Sequence, residues 1–372
     1  MSRISVLVVD DSVVVRRLVT DVLSSDPRIE VVGTASNGKI ALSKMPQLNP
    51  DVVTLDIEMP VMDGLETLVH MRKLYPDTPV IMFSTLTERG AHATLDALER
   101  GAHDYVTKPA NVGSVTASMA AVKADLIPKI EAAAVSRRGR RFAAPPVPKT
   151  TNVAAPPIVA APRDRRPSTA KVEVVVIGVS TGGPDALTTV MSGLHDIPVP
   201  IAVVQHMPPI FTALFADRLN TKSSLHVSEA KAGDRLEPGR VLVAPGDYHL
   251  RLRQDALGVS ATLDQGTPEN YCRPAVDVLF RSAADVYGAG VLAVVLTGMG
   301  SDGARGAGRI VEAGGSVIVQ DESTSVVWGM PGAVVGAGLA DEVLPVRDVA
   351  GAIQARVARG RSLIGAKGVA RP

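Results

Sequence analysis

One cysteine, Cys272, occurs in 372 residues. That excludes an intramolecular disulfide and any cysteine-cluster zinc site. Aromatic residues make up only 3% of the chain, so its cores must be filled by Val, Leu, Ile and Ala. Neither charge sign is in excess. The 39 Lys+Arg against 38 Asp+Glu leave a net +1, which argues against a chain-wide nucleic-acid surface and removes nucleic acid from the expected partners. No stretch reaches the roughly 18 uninterrupted apolar residues of a membrane span. The run Val6 to Val9 is cut off by Asp10 and Asp11 before a signal-peptide core forms. These absences lead to the expectation of a soluble, cytoplasmic protein.

What is present is ordinary globular material, 46% apolar and 21% charged. At roughly 150 residues per domain, the length suggests two or three domains. Residues 1–125 alternate short β-branched runs with helix-length segments. The runs are Ser5–Val9, Ile29–Gly33, Asp51–Leu55, Val80–Phe83 and Asp104–Val106. That rhythm implies a parallel sheet covered on both faces. Residues 126–170 carry Pro145, Pro146, Pro148, Pro156, Pro157, Pro162 and Pro167 and the basic cluster Arg137-Arg138-Gly139-Arg140-Arg141. They read as a semi-extended, solvated linker. The β/α rhythm resumes over 171–350, with runs at Glu173–Ile177, Ile201–Val204, Arg240–Ala244, Val291–Leu296 and Ser316–Gln320. Residues 351–372 read as a basic tail.

In the first region, Asp10 and Asp11 follow one strand and Asp56 ends another. Ser84 ends a fourth strand, and Lys108 follows the last. Parallel α/β sheets gather ligands at this carboxyl edge. Clustered carboxylate oxygens suit a hard divalent cation such as Mg²⁺. A carboxylate beside a cation and a lysine can attack a phosphoryl group, with both cations neutralising the transferring oxygens. The Lys108–Pro109 bond is a candidate cis bond, since that geometry is largely confined to X-Pro.

In the second region, Gly178-Val179-Ser180-Thr181-Gly182 matches G-x-S-x-G, a strand–turn–helix that exposes a nucleophilic serine. Four histidines could serve it as base: His195, His206, His226 and His249. His206 directly follows a strand, which brings it to the same sheet edge as Ser180. Asp302 follows the strand Val291–Leu296 and could orient the histidine. The order Ser…His…Asp differs from that of α/β-hydrolases. Cys272 has no histidine-rich turn beside it in sequence, so it reads as a packed residue. Two other readings compete. Gly298-Met299-Gly300-Ser301-Asp302-Gly303 is a literal G-x-G-x-x-G, and Asp321 sits near the spacing of a ribose-binding acid. The output domain could thus bind a dinucleotide, or it could only bind a partner.

Val8-Val9-Asp10-Asp11-Ser12, the segment Leu55 to Gly64, Ser84 and Tyr105-Val106-Thr107-Lys108-Pro109 resemble a response-regulator receiver domain. The segments Val176–Pro184, Gln205–Pro208, Ala244–His249, Arg273–Phe280, Leu296–Gly303 and Trp328–Pro331 resemble the chemotaxis protein-glutamate methylesterase family, CheB. The fold this implies is α/β throughout: a flavodoxin-like receiver, then a Rossmann-like, doubly wound parallel-sheet methylesterase domain. The resemblance implies that Asp56 accepts the phosphoryl group. It implies Mg²⁺ on Asp11, Asp56 and the Glu58 carbonyl with Asp10 assisting, Ser84 and Tyr105 as the switch pair, and Lys108 on the phosphoryl group. It implies Ser180, His206 and Asp302 as a triad, with the Met299 N–H as a candidate oxyanion donor. The expected partners are a chemotaxis histidine kinase as phosphodonor and methylated chemotaxis receptors as substrate. Contact with a membrane would come only through those receptors. Deamidation of receptor glutamines is the expected second activity.

Overall fold

The computed structural model describes residues 3–108, 115–142 and 168–359. The chain separates into two compact units, 1–153 and 154–372. No helix among the described residues is long and apolar enough to cross a membrane.

The first unit alternates β1 (Ile4–Val9), α1 (Val13–Ser24), β2 (Ile29–Ala35), α2 (Gly38–Leu48), β3 (Val52–Asp56), α3 (Gly64–Leu74), β4 (Val80–Ser84), α4 (Glu88–Glu99), β5 (Asp104–Thr107) and α5 (Val115–Phe142). The five strands run in the order β2-β1-β3-β4-β5, and every pairing is parallel. The chain reverses its direction of growth between β1 and β3. A crevice opens at such a point, outside the carboxyl ends of the strands. Helix starts are marked by local caps. Ser12 accepts from the Val15 N–H, and Asp63 accepts from the Glu66 N–H.

Helix α5 runs straight through residue 125, where the sequence pattern places the start of a linker. Leu126, Ile127, Ile130, Ala133 and Ala134 are buried in the core with Val6, Val19 and Ile81. Arg137, expected on a solvated segment, is itself buried and donates to the Pro50 carbonyl and to Asn49 Oδ1. The first domain therefore includes the whole of α5, and the boundary at 125 falls inside a packed helix. The physical reason is apolar spacing: Leu126, Ile130 and Ala133 recur at helical intervals on one face. The proline-rich stretch 143–167 and Pro109, with its expected cis bond, lie outside the described residues.

The second unit contains β6 (Val174–Val179), α6 (Gly183–Gly193), β7 (Ile201–Gln205), α7 (Phe211–Lys222), β8 (His226–Glu229), β9 (Arg240–Val243), β10 (His249–Asp255), β11 (Gly258–Asp264), α8 (Val276–Tyr287), β12 (Val291–Val295), α9 (Ala304–Glu312), β13 (Ser316–Gln320), α10 (Met330–Gly336), β14 (Glu342–Leu344) and α11 (Val346–Arg359). Seven strands form one sheet ordered β14-β13-β12-β6-β7-β9-β8, and β10 and β11 make a separate hairpin. All pairings in the large sheet are parallel. The central strands are buried on both faces, with β6, β7, β12 and β13 fully covered. The direction of growth reverses at β6 and β12, where Val174 through Gly178 align with Val291 through Val295. Helix α11 passes residue 350, where a tail is expected. It buries Ile353 and Val357, and Arg356 reaches Glu342 at 2.6 Å. The packed part of the second unit thus extends to Arg359, and residues 360–372 lie outside the described ones.

Ile130 is fully buried five residues beyond the expected boundary. Ile130→Ala should destabilise the first unit by about 2–5 kcal/mol. An unchanged first-unit unfolding transition in that variant would show that the extension of α5 is not part of the core.

Candidate active site

The carboxyl edge of the large sheet brings together the ends of β6, β7 and β12. Ser180 follows β6 and is half-buried. Its N–H donates to the Thr297 carbonyl at 3.0 Å, tying it to the loop after β12. Its carbonyl accepts from the Gly183 N–H at 2.8 Å and from Gln205 Nε2 at 2.9 Å. Two glycines make this turn possible. Gly182 has φ +73°, a left-handed conformation that L side chains rarely adopt. A Cβ on Gly298 would lie 2.8 Å from the Ser180 Cβ, so only glycine lets the two loops approach. Met299 follows Gly298 on that loop.

His206 follows β7, with its N–H on the Val179 carbonyl at 3.1 Å. Its Nε2 lies 2.8 Å from Asp302 Oδ2, with 12% and 2% of the two side chains exposed. Asp302 is saturated. Oδ2 also accepts from the Val276 N–H at 2.7 Å. Oδ1 accepts from the N–H groups of Asp277 and Gly303 and from Asn270 Nδ2, all at 2.9–3.0 Å. Val276 and Asp277 are the first residues of α8, and the residue before them, Ala275, supplies no side-chain cap. The carboxylate of a distant loop therefore takes the place of a local cap. Burial opposes the charged form of Asp302, but the bonds from His206 and from these amides outweigh it and hold the carboxyl below its usual range. Burial likewise opposes a charged His206. Its bonds to Asp302 and Cys272 outweigh that cost, and its pKa lies above the usual 6.5.

His206 and Asp302, expected together, are joined by a hydrogen bond. Ser180 reaches the same edge, and among the described residues no hydrogen bond links its hydroxyl to His206. The other histidines lie apart. His195 is exposed beside Ser224, His226 is exposed on β8, and His249 is buried against the Thr267 carbonyl and the Ala275 N–H. Three neighbours escape a reading of the sequence. Asn270 Nδ2 bridges Asp302 Oδ1 and Asp277 Oδ2, at 2.9 and 3.0 Å. Asp277, fully buried, accepts from the Gly306 N–H. Cys272 is half-buried, and folding brings its Sγ to 3.5 Å from His206 Nδ1, a contact that its sequence neighbours do not announce. The absence of a Ser, Thr, Asp or Asn just before Val276 is the one sequence signal that a remote group must cap α8.

The dinucleotide reading finds no support in this geometry. Asp321 spends Oδ1 on Thr324 and Oδ2 on Ser323, within its own turn. The glycine loop after β12 is closed over by Val327–Met330, which exchange backbone hydrogen bonds with Gly298.

The first unit has its own site, at the end of β1 and β3. Asp10 and Asp56 are buried and Asp11 is exposed, and one carboxylate oxygen of each lies within 4.8 Å of the others. Lys108 Nζ contacts Asp56 Oδ1 at 2.7 Å and Asp10 Oδ2 at 3.1 Å. Asp56 Oδ2 is buried with no hydrogen-bond partner among the described residues. Burial, joined by the charge of Asp10 and opposed by Lys108, raises the Asp56 carboxyl to about 6. An unpartnered carboxylate oxygen among three acids is a fitting donor set for Mg²⁺. Glu58 is exposed, and its side chain meets Arg89 at 3.8 Å. The Ser84 hydroxyl is turned to α4. It donates to the Gly90 carbonyl at 3.1 Å and accepts from Thr94 Oγ1 at 2.6 Å. The Tyr105 ring is buried, and Lys129 Nζ lies 5.2 Å from its centroid.

Removing the Asp302 carboxylate strands three backbone donors and the His206 ring. Asp302→Ala should cost the second unit about 3–5 kcal/mol. Thermal unfolding would measure this, and a melting temperature equal to that of the unchanged chain would refute the capping role.

Comparison with known proteins gives the lineage. The CheB methylesterase family matches residues 175–353 and the response regulator receiver domain matches residues 6–120. A protein-glutamate methylesterase/protein-glutamine glutaminase of a Nocardioides species is 56% identical over 97% of both chains. The protein of the same name from Trichodesmium erythraeum is 49% identical, over 96% of this chain and all of its own. The crystal structure of the Thermotoga maritima CheB methylesterase catalytic domain is 45% identical over 50% of this chain and 98% of its own, with a TM-score of 0.48. With this identity along nearly its whole length, the chain belongs to the CheB protein-glutamate methylesterase family, with a receiver domain in front of the catalytic one.

Proposed function

We propose that the protein is a phosphorylation-activated serine hydrolase that removes methyl esters from glutamate side chains of chemotaxis receptors and deamidates receptor glutamines. The observation that carries this reading is the His206–Asp302 hydrogen bond at the reversal point of the sheet, on the same edge as the half-buried Ser180. With Nε2 held on Asp302, the neutral ring keeps its lone pair on Nδ1. Ser180 Oγ attacks the ester carbonyl and passes its proton to His206, and Asp302 stabilises the imidazolium. The Met299 N–H is the donor for the oxyanion. The proton then goes to the leaving methoxide, and methanol departs. Water, deprotonated by His206, hydrolyses the acyl-serine to release glutamate. A glutamine follows the same course with ammonia as leaving group.

In the receiver, Asp56 is the phosphoacceptor and a histidine kinase the donor. Asp11, Asp56 and the Glu58 carbonyl would hold Mg²⁺, with Asp10 assisting, and the cation would supply charge neutralisation to the transferring oxygens. Lys108, already on Asp56, would move to the phosphoryl group. Ser84 must leave Thr94 and the Gly90 carbonyl to reach it, and Tyr105 follows as the second member of the switch. The new charge then biases the equilibrium between inhibited and active states.

Methanol release from methylated receptor membranes, with Mg²⁺ and with or without acetyl phosphate, tests the whole reading. Release should rise with the phosphodonor. It should vanish in Ser180→Ala and lose its phosphodonor response in Asp56→Asn. Turnover retained by Ser180→Ala would sink the nucleophile, and a response retained by Asp56→Asn would sink the acceptor.

The base must be neutral to accept the serine proton, so kcat/KM should rise with pH through the His206 pKa. Because Asp302 favours the imidazolium, the midpoint should lie above 6.5. A limb centred at or below that value would remove His206 as the base.

A further inference from the structure

We propose that Cys272 and His206 form a binding site for a thiophilic divalent cation, Zn²⁺ above all, and that its occupation switches the hydrolase off. The argument begins with a distance. A Zn–S bond of about 2.3 Å and a Zn–N bond of about 2.0–2.1 Å, meeting at a tetrahedral angle, hold sulfur and nitrogen about 3.5 Å apart. Cys272 Sγ and His206 Nδ1 stand 3.5 Å apart.

The second observation is what lies behind the ring. A metal-bound imidazole nearly always donates its other N–H to a carboxylate, which fixes the tautomer and raises the basicity of the ligating nitrogen. Here that carboxylate is Asp302, 2.8 Å from Nε2. It is held by the Val276, Asp277 and Gly303 amides and by Asn270. Asp302 has no free lone pair aimed at the cation and serves as the orienting group. The lone pair on Nδ1 is thereby presented toward the sulfur.

The third is access. Cys272 is half-buried and its neighbour Tyr271 stands fully in solvent, so the segment that carries the thiol lies at the surface. On binding, the thiol proton goes to solvent and the thiolate joins Nδ1 as ligand. Water completes the remaining positions. Asp277 and Asp302 add negative potential nearby, partly offset by Arg305, which contacts Asp277 at 3.5 Å.

The inhibition rests on the reading of His206 as the base, since the cation takes the Nδ1 lone pair that the serine proton needs. The binding does not rest on it. Both are tested on the full chain, with Mg²⁺ in excess to occupy the receiver carboxylates. Zn²⁺ affinity is measured against a chromogenic chelator for the unchanged chain, Cys272→Ala and Cys272→Ser. Both substitutions should weaken it by about tenfold or more. Co²⁺ in place of zinc should give a thiolate-to-metal charge-transfer band that both variants lack. Methanol release, each protein normalised to its own metal-free rate, should fall with Zn²⁺ only in the unchanged chain and recover with chelator. Equal zinc affinity in all three proteins, or a cobalt spectrum without the thiolate band, would overturn the site. Binding through Cys272 with turnover untouched would leave the site standing but overturn the inhibition, and with it His206 as the base.

Discussion

Five hydrogen bonds converge on the Asp302 carboxylate, and the second domain is arranged around them. Three come from backbone amides, two of these at the start of α8, one from Asn270 and one from His206. A buried carboxylate is expensive to desolvate unless its lone pairs are filled. A helix start is expensive to bury unless its N–H groups are filled. Each solves the other's difficulty, and the helix dipole adds to the stabilisation. The consequence is positional. Once α8 is packed on the sheet through Val276, Leu279 and Phe280, Asp302 cannot shift without uncapping it. His206 inherits that rigidity through a single 2.8 Å bond.

Both domains obey the same geometric rule with different chemistry. A parallel sheet wound in two directions leaves a crevice where the direction changes. In the first domain β1 and β3 flank the crevice and deliver Asp10, Asp11 and Asp56. In the second, β6 and β12 flank it and deliver Ser180 and the loop to Asp302, with His206 from adjacent β7. Strands with buried faces need apolar residues throughout, so polar residues at their last positions stand out. That is why the chemistry is concentrated there.

This contrast also explains what a reader of the sequence can see. The central strands are unbroken β-branched runs such as Val174–Ile177 and Val291–Val295, and their ends are marked by Ser180, His206 and Asp302. Edge strands carry a weaker pattern. In β8 only Val227 is fully buried, and β14 is three residues long, so neither rises above loop composition. The length of α5 was hidden by its basic C-terminal half, because charge suggests solvent. Arg137 instead lies on the Pro50 carbonyl, 87 residues back. Contacts across such separations have no local signature. Asn270 meets Asp302 over 32 residues and Cys272 meets His206 over 66. Sequence reasoning finds residues that chemistry requires at strand ends, and it misses those that folding brings to their sides.

The two carboxylate centres differ in how completely they are satisfied, and the difference bears on what each can do. Asp302 has both oxygens filled and its pKa held down, which suits a group that orients a histidine and never leaves its place. Asp56 has one buried oxygen without a partner and a pKa raised to about 6. A carboxylate so held is poorly solvated as an anion, and both a cation and an electrophile relieve that cost. Lys108 neutralises one oxygen only. The first domain therefore keeps Asp56 in a state that a bound cation would improve, whereas the second keeps Asp302 in a state with no lone pair left to offer. An unsatisfied carboxylate can respond to what binds it, and a satisfied one holds a geometry.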